Sequence, residues 1–523
     1  MRKVLIVTIL ALAVMALSFA PALAQGDQAA IDEVYEETEK IRRLEAPFDI
    51  AVNFMSREEL ENKLLEEMDE DMPEEETRIA DEIMTMLGFI DEDLDLQSFY
   101  VDLLTEQIAG FYDPEDDSLY LISEGGGMDI MDEYTLSHEL VHYLQDHNFD
   151  LERPPFDDPE DAVEETDDDA SFAATCLVEG DAVLASDIWL VEYVDAGDML
   201  EMSLDTGDYS FEVFESAPYY IQDSLLFPYT EGNEFVKYIH SEGGFAAVDA
   251  AYNNVPISSE MIMHPEKYLE GEAVIQVDMP DITGDLGGDW ELAYDNVLGE
   301  FDVYELFKPY LSKSGLRKAA SGWGGNSYQY YRSGDGDKLL NQGYAWDSER
   351  DAQEFAAAFV RYMEDRFSDE VERNADQGAW IVWTTDDYKF ALKKDGINTY
   401  IVQAATEEGF DTALGSLGDE GDEIDLGAIS SEEAVSGEEE EEKKYYWVVV
   451  GGLVALLVIG LILIFGMLLF YRRPPSPPTQ PPGGPYMYPP GGGPGTGYGG
   501  QGYGGPSAGP WGGGQAPPPP PQA

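Results

Sequence analysis

The run Thr135-Leu136-Ser137-His138-Glu139-Leu140-Val141-His142 brings together the residue types best suited to chemistry. A helix advances 3.6 residues per turn, so His138 and His142 stack on one face with their imidazoles aimed at a common point. Two neutral imidazoles at that separation suit a zinc ion, and Glu139 lies at the edge of the same face, placed to take a proton from water rather than to bind the metal. The spacing predicts a zinc hydrolase. Its bland alternative is a pair of partly solvated histidines on an ordinary helix.

Two protein ligands leave a zinc site incomplete. Residues 170–194 read as one long helix carrying Cys176-Leu177-Val178-Glu179-Gly180-Asp181-Ala182, and Glu179 is the expected third ligand. An acid embedded in an apolar run needs a partner, and a metal keeps it ionised. Gly180 removes a side chain beside it, so a second helix is expected to approach closely there. Cys176, on roughly the same face, reads as a small core residue rather than a zinc thiolate. Asp181, Asp146 and Asp187 are candidates for orienting an imidazole N–H.

The surrounding elements must hold these two helices together. Residues 32–43 read as helix and 48–54 as a strand, and Ser56-Arg57-Glu58-Glu59 is a capping box that opens another helix. Further helices are expected over 75–87 and 96–108. A hairpin follows, with strands at 108–112 and 119–122 joined by the Asp- and Pro-rich turn 113–118. In zinc peptidases a strand beside the active-site helix pairs with the extended substrate, and this hairpin stands where that strand belongs, unless it is merely a scaffold hairpin. Beyond residue 270, helices are expected over 290–306 and 352–367, and strands over 380–384, 388–392 and 399–404. Trp323 and Tyr328 to Tyr331 belong either to the core or to a substrate groove. The expected fold class is α+β and mostly helical, with an active-site helix beside a small sheet.

Composition bounds the rest. The 523 residues include 107 acidic against 28 basic side chains, for a formal net charge of -79. Such a surface repels phosphates and anionic headgroups, so nucleic acid is excluded as a partner. A solvated, salt-adapted surface is the favoured explanation, since screening shortens to about 3 Å at 1 M salt; calcium binding is the alternative, without an EF-hand loop to support it. Arg2 and Lys3 before an apolar run, closed by Ala22-Leu23-Ala24, read as a signal peptide over 1–24. The single cysteine, Cys176, rules out an intramolecular disulfide.

Residues 446–470 form an apolar run of about 38 Å at ~1.5 Å per residue, long enough for a transmembrane helix. Arg472 and Arg473 follow it, which predicts an ectodomain outside and a cytoplasmic tail. The expected organisation is a helical region over 25–107, a catalytic core over 108–270 and an α+β part over 271–417. An acidic, self-repelling stalk over 418–445 leads to the anchor, and a Pro-, Gly- and Tyr-rich tail over 471–523 is either an appendage or a ligand for a cytoplasmic partner.

The phrase His138-Glu139-x-x-His142 followed by Glu179-Gly180-Asp181-Ala182 resembles the gluzincin clan of zinc metallopeptidases, whose third ligand is a glutamate on a downstream helix. More narrowly, the chain is similar to a group of uncharacterised bacterial and archaeal metallopeptidases. The matching phrases include Gly110-Phe111-Tyr112-Asp113-Pro114, Leu144-Gln145-Asp146, Phe227-Pro228-Tyr229, Met263-His264-Pro265-Glu266-Lys267-Tyr268, Gly322-Trp323-Gly324-Gly325 and Trp346-Asp347-Ser348. They cover most of residues 32–405. Val183 stands where the thermolysin branch has an aspartate, so that branch's orienting carboxylate has no counterpart here.

The resemblance implies a zincin-like core, zinc held by His138, His142 and Glu179, and hydrolysis of peptide or protein substrates with Glu139 as general base. It also implies a Tyr or His donor for the oxyanion. His264 is the candidate, since Pro265 biases it to an extended conformation off any helix; Tyr268, Tyr252 and Tyr229 compete for the role, and a buried structural histidine is the alternative for His264 itself. The rival function class is a cell-surface binding or adhesion module that does no hydrolysis. Glu139 separates the two, because a structural metal site needs no base and fills its positions with protein ligands.

Overall fold

None of residues 169–190 is exposed, and the helix they belong to is enclosed by its neighbours. In the computed structural model, which describes residues 25–430 and 433 apart from 48–49, 72–73, 93, 115–117, 124–127, 158–165, 205–209, 368–370 and 375–376, this helix spans Asp168–Tyr193. Every residue from Cys176 to Ala182 is buried. A helix enclosed on all sides needs neighbours on all sides. They are the histidine helix Ile130–Phe149, the first helix Gln25–Arg42 and the helix Tyr219–Gly243. The signal peptide, the 446–470 segment and the tail lie outside the described residues, among which no helix is long and apolar enough to cross a membrane.

The central helix and Tyr219–Gly243 cross with backbones in contact, as Gly180 led one to expect. A Cβ on Gly180 would lie 2.2 Å from the Gly232 carbonyl oxygen, and one on Gly232 would lie 2.5 Å from the Cys176 oxygen. Alanine at 180 gains about 1 kcal/mol of helix propensity but must push two backbones apart, at a cost of about 3 kcal/mol. Gly180→Ala is therefore expected to lower stability by about 2 kcal/mol. Urea denaturation reads this directly; an unchanged or raised midpoint contradicts it.

Two sheets flank the helices. β1 (Ala51–Met55), β2 (Gly110–Asp113) and β3 (Ser118–Ile122) form the smaller, in the order β1-β3-β2. β1 runs parallel to β3 and β2 antiparallel to it, which leaves β2 as an edge strand against the histidine helix. The Ser56 capping box closes as expected, with Ser56 N–H donating to Glu59 Oε2 at 2.9 Å. The larger sheet holds β4 (Glu291–Asn296), β5 (Trp323–Arg332), β6 (Lys338–Trp346), β7 (Glu372–Arg373), β8 (Ile381–Thr384), β9 (Lys389–Asp395) and β10 (Asn398–Ala404). Its order is β4-β5-β6-β10-β9-β8-β7.

The sheet's two faces belong to different cores. Tyr328, Tyr330, Leu340 and Tyr344 join the main core with Phe355 of the helix Glu349–Phe367. Tyr331, Leu339 and Val402 pack on the other face with Phe410 and Leu414 of Glu407–Leu417. Trp323 and Tyr328, Tyr330 and Tyr331 are thus core residues and line no groove. Phe301 joins this half to the half that carries His138 and Glu179, its ring 5.1 Å from Phe172 and 4.7 Å from Phe227.

Two expectations need correction. Residues 290–306 are not one helix: β4 pairs with β5 from Glu291 to Asn296, and a separate helix begins at Glu300. Strand pairing with β5 overrides the local pattern, and Gly299 marks the break. Nor is the segment from Gly418 a stalk throughout. Lys393 Nζ donates to the Leu417 and Gly418 carbonyls, Lys394 Nζ lies 3.0 Å from Asp422 Oδ2, Ile429 is buried, and Lys318 Nζ meets Glu433 Oε1 at 2.6 Å. Scarce lysines and a few apolar side chains hold this acidic stretch against β9 and against the helices Lys313–Ala320 and Glu349–Phe367.

Buried acids give the fold a pH dependence. Asp302 accepts hydrogen bonds from Tyr220 OH and Gly299 N, both at 2.7 Å, yet burial pushes its carboxyl up to about 6. An unfolded aspartate titrates near 3.9, so between about pH 4 and 6 the folded state holds the extra proton and stability falls as pH rises through that window. The loss approaches about 3 kcal/mol once Asp302 is ionised. Urea denaturation at pH 5 and pH 7.5 is expected to show the folded state more stable at pH 5, with Asp302→Asn narrowing the difference. Equal pH dependence in the variant contradicts this.

Candidate metal centre

The histidine helix opens on a reciprocal cap: Asp129 accepts from Met131 N and Asp132 N, and Asp132 accepts from Asp129 N. From there the i, i+4 spacing places His138 and His142 side by side on the face turned to the central helix. His142 Nε2 lies 3.1 Å from His138 Nε2 and 3.6 Å from Glu179 Oε1, and His138 Nε2 lies 3.1 Å from Glu179 Oε2. The two nitrogens and the carboxylate thus converge on one point.

The electrostatics follow from burial. Glu179 is 1% exposed. Burial alone would raise its carboxyl, but the adjoining imidazoles hold it well below the usual range. Burial likewise opposes a charge on His142, and the Glu179 carboxylate overrides it and raises that imidazole. Glu179 Oε1 is buried without a hydrogen-bond partner among the described residues. An orphaned carboxylate oxygen is costly unless a cation meets it. Two imidazole nitrogens and one carboxylate form a donor set that suits zinc, whereas magnesium and calcium take oxygen ligands.

Glu139 is buried at the edge of this cluster. Burial raises its carboxyl above the ordinary glutamate value, against the pull of His138 and His142, and Tyr112 N–H donates to it from β2. The phenol that meets the cluster is Tyr229, directly after Pro228 inside the Tyr219–Gly243 helix. Its ring stacks on His138 with centroids 6.2 Å apart, and its hydroxyl feels the Glu179 and Glu139 charges. Burial of the hydroxyl and the nearby Glu179 and Glu139 charges push it well above the usual phenol range, so it stays a donor. The residue is 37% exposed, which leaves its ring within reach of a ligand.

His264 is placed elsewhere. As expected it lies off any helix, between Ser259–Met263 and Pro265–Glu270, but its Nε2 is 3.1 Å from Glu300 Oε1 and it does not join the His138, His142 and Glu179 cluster. A second acidic group, Glu260, Glu272 and Asp347, converges nearby in the chain. Lys267 Nζ fills it, at 2.6, 3.1 and 2.6 Å from the three carboxylates. Asp347 N also donates to Gly322 O at 2.8 Å. Three phrases without assigned chemistry, around Lys267, Gly322 and Asp347, therefore form a junction between the two halves.

The three candidate orienting aspartates part company. Asp146 accepts from Tyr112 OH and Leu151 N, and Asp187 from Tyr134 OH. Asp181 lies behind the site, accepting from Gln145 Nε2 at 3.0 Å and Tyr252 OH at 2.8 Å, with Arg42 Nε 2.8 Å from its Oδ1. Arg42 is fully buried, shared with Asp249 at 2.6 Å and stacked over Phe245 at 4.8 Å. Sequence reasoning missed Arg42 and Gln145. Arg42 stands 139 residues from Asp181 with no local signal, while Gln145, three residues after His142, was legible as a same-face neighbour.

A family model described as a domain of unknown function (DUF8575) matches residues 291–413. That stretch holds the whole larger sheet and the Glu349–Phe367 helix, and it excludes His138, Glu139, His142 and Glu179. No curated protein and no solved structure matches the chain.

Proposed function

We propose that the protein is a gluzincin-type zinc metallopeptidase with a zincin-like core, anchored by residues 446–470 with its catalytic part outside the membrane. The observation that carries this reading is the convergence of His138, His142 and Glu179 from two helices, with Glu139 buried beside them. The edge strand β2 against the histidine helix supports it, since such a strand can take an extended peptide.

His138 and His142, through Nε2, and Glu179, through its carboxylate, would hold the ion. When bound, zinc supplies Lewis acidity towards water and a peptide carbonyl. Glu139, buried beside the three ligands, takes a proton from the attacking water and returns it to the leaving amine. Tyr229 replaces His264 as oxyanion donor, because its phenol meets the cluster and stays protonated, while His264 is committed to Glu300.

The test is zinc content and cleavage of a quenched-peptide mixture, measured on the purified protein before and after chelation. About one zinc ion per chain is expected, with cleavage lost on chelation and restored by zinc. The reading fails if the zinc-loaded protein cleaves no peptide or if chelation leaves cleavage intact.

A further inference from the structure

We infer that Gln145 is a positioning residue that fixes which nitrogen of His142 faces the ion; its purpose, though not its geometry, rests on the zinc reading above. The Gln145 amide has three neighbours. Its Nε2 lies 3.0 Å from Val178 O and 3.0 Å from Asp181 Oδ2, and its Oε1 lies 2.9 Å from His142 Nδ1. A backbone carbonyl and a carboxylate can only accept, so the amide NH2 must point at them. That leaves the amide oxygen facing the ring, and an oxygen there requires a proton on Nδ1. The neutral ring then carries its lone pair on Nε2, the atom aimed at His138 and Glu179.

Asp181 makes this orientation firm. Held by Arg42 and Tyr252, it is fully buried and offers Gln145 Nε2 an acceptor that cannot turn away. The amide cannot flip without setting its oxygen against that carboxylate. Gln145 therefore transmits the central helix's geometry to the ring, in the role that a carboxylate or carbonyl fills in other metal sites.

The experiment measures Zn²⁺ affinity of the full chain by competition with a chromophoric chelator, for wild type, Gln145→Met and Gln145→Glu. Methionine is of similar length and offers the ring no oxygen, so affinity is expected to fall about 10- to 100-fold. Gln145→Glu keeps an acceptor for Nδ1–H and, as the protonated acid, donates to Asp181, so affinity stays near wild type even where the melting temperature drops. A merely structural glutamine would move stability in both variants and affinity in neither. Equal affinity for wild type and Gln145→Met overturns the inference and leaves the zinc reading standing. Absence of zinc uptake by wild type overturns the zinc reading instead. In that case, or if Gln145→Met does not fold, ¹⁵N imidazole shifts of metal-free wild type decide at a pH where the His142 ring is neutral. A proton on Nδ1 supports the inference, and a bare Nδ1 overturns it.

Discussion

If the protein is the metallopeptidase proposed above, Glu139→Gln is expected to lower kcat for peptide hydrolysis by about 10²- to 10⁴-fold, the usual worth of a positioned general base. That corresponds to about 3–5 kcal/mol of activation free energy. Zinc content should not change, because Glu139 stands outside the His138, His142 and Glu179 cluster. Glutamine matches the side chain in size and keeps an oxygen to accept from Tyr112 N–H, so the fold loses little. What it cannot do is take the proton. Kinetics and metal analysis on the same sample make the test. Cleavage at the wild-type rate by a zinc-loaded variant would remove Glu139 from the mechanism, and a parallel loss of zinc would make it a ligand.

Arg42→Met is expected to destabilise the fold by about 3–5 kcal/mol, because it strands one member of a buried ion pair. Asp181 would keep its bonds from Tyr252 and Gln145 but lose its counter-charge inside the core. Methionine fills much of the space over Phe245, so the loss is electrostatic more than steric. Arg42→Lys should recover little, since one ammonium cannot reach Asp181 and Asp249 as the guanidinium fork does. Urea denaturation of the three proteins decides it; a change under about 1 kcal/mol would mean that solvent reaches Asp181 in spite of its burial.

The convergence of His138, His142 and Glu179 was more legible than the fold around it. His138 and His142 declare themselves because four residues is about one helical turn, and Glu179 because an acid at the end of the largely apolar run Ala173–Val178 needs a partner. The residues behind them do not, since Arg42 meets Asp181 only through tertiary packing. His264 stayed open between an oxyanion donor and a structural histidine for a related reason: a non-helical histidine before proline is free to enter a cleft, and nothing local reveals that Glu300 takes it. β5 and β6 escaped notice because strands covered on both faces bury consecutive residues and lose the period-two signal, as in the unbroken burial from Leu339 to Trp346. In the 418–433 stretch, composition spoke for disorder while Lys318, Lys393 and Lys394 supplied the missing attachment.

The backbone contact at Gly180 and Gly232 also bears on heat resistance. The proposed base and both imidazoles share one helix, Glu179 sits on its neighbour, and Tyr229 comes from the helix locked to that neighbour. Nothing in this assembly hangs on a surface loop that could soften early. Thermal inactivation and the calorimetric transition should therefore fall at the same temperature, rather than catalysis failing in a protein that is still folded.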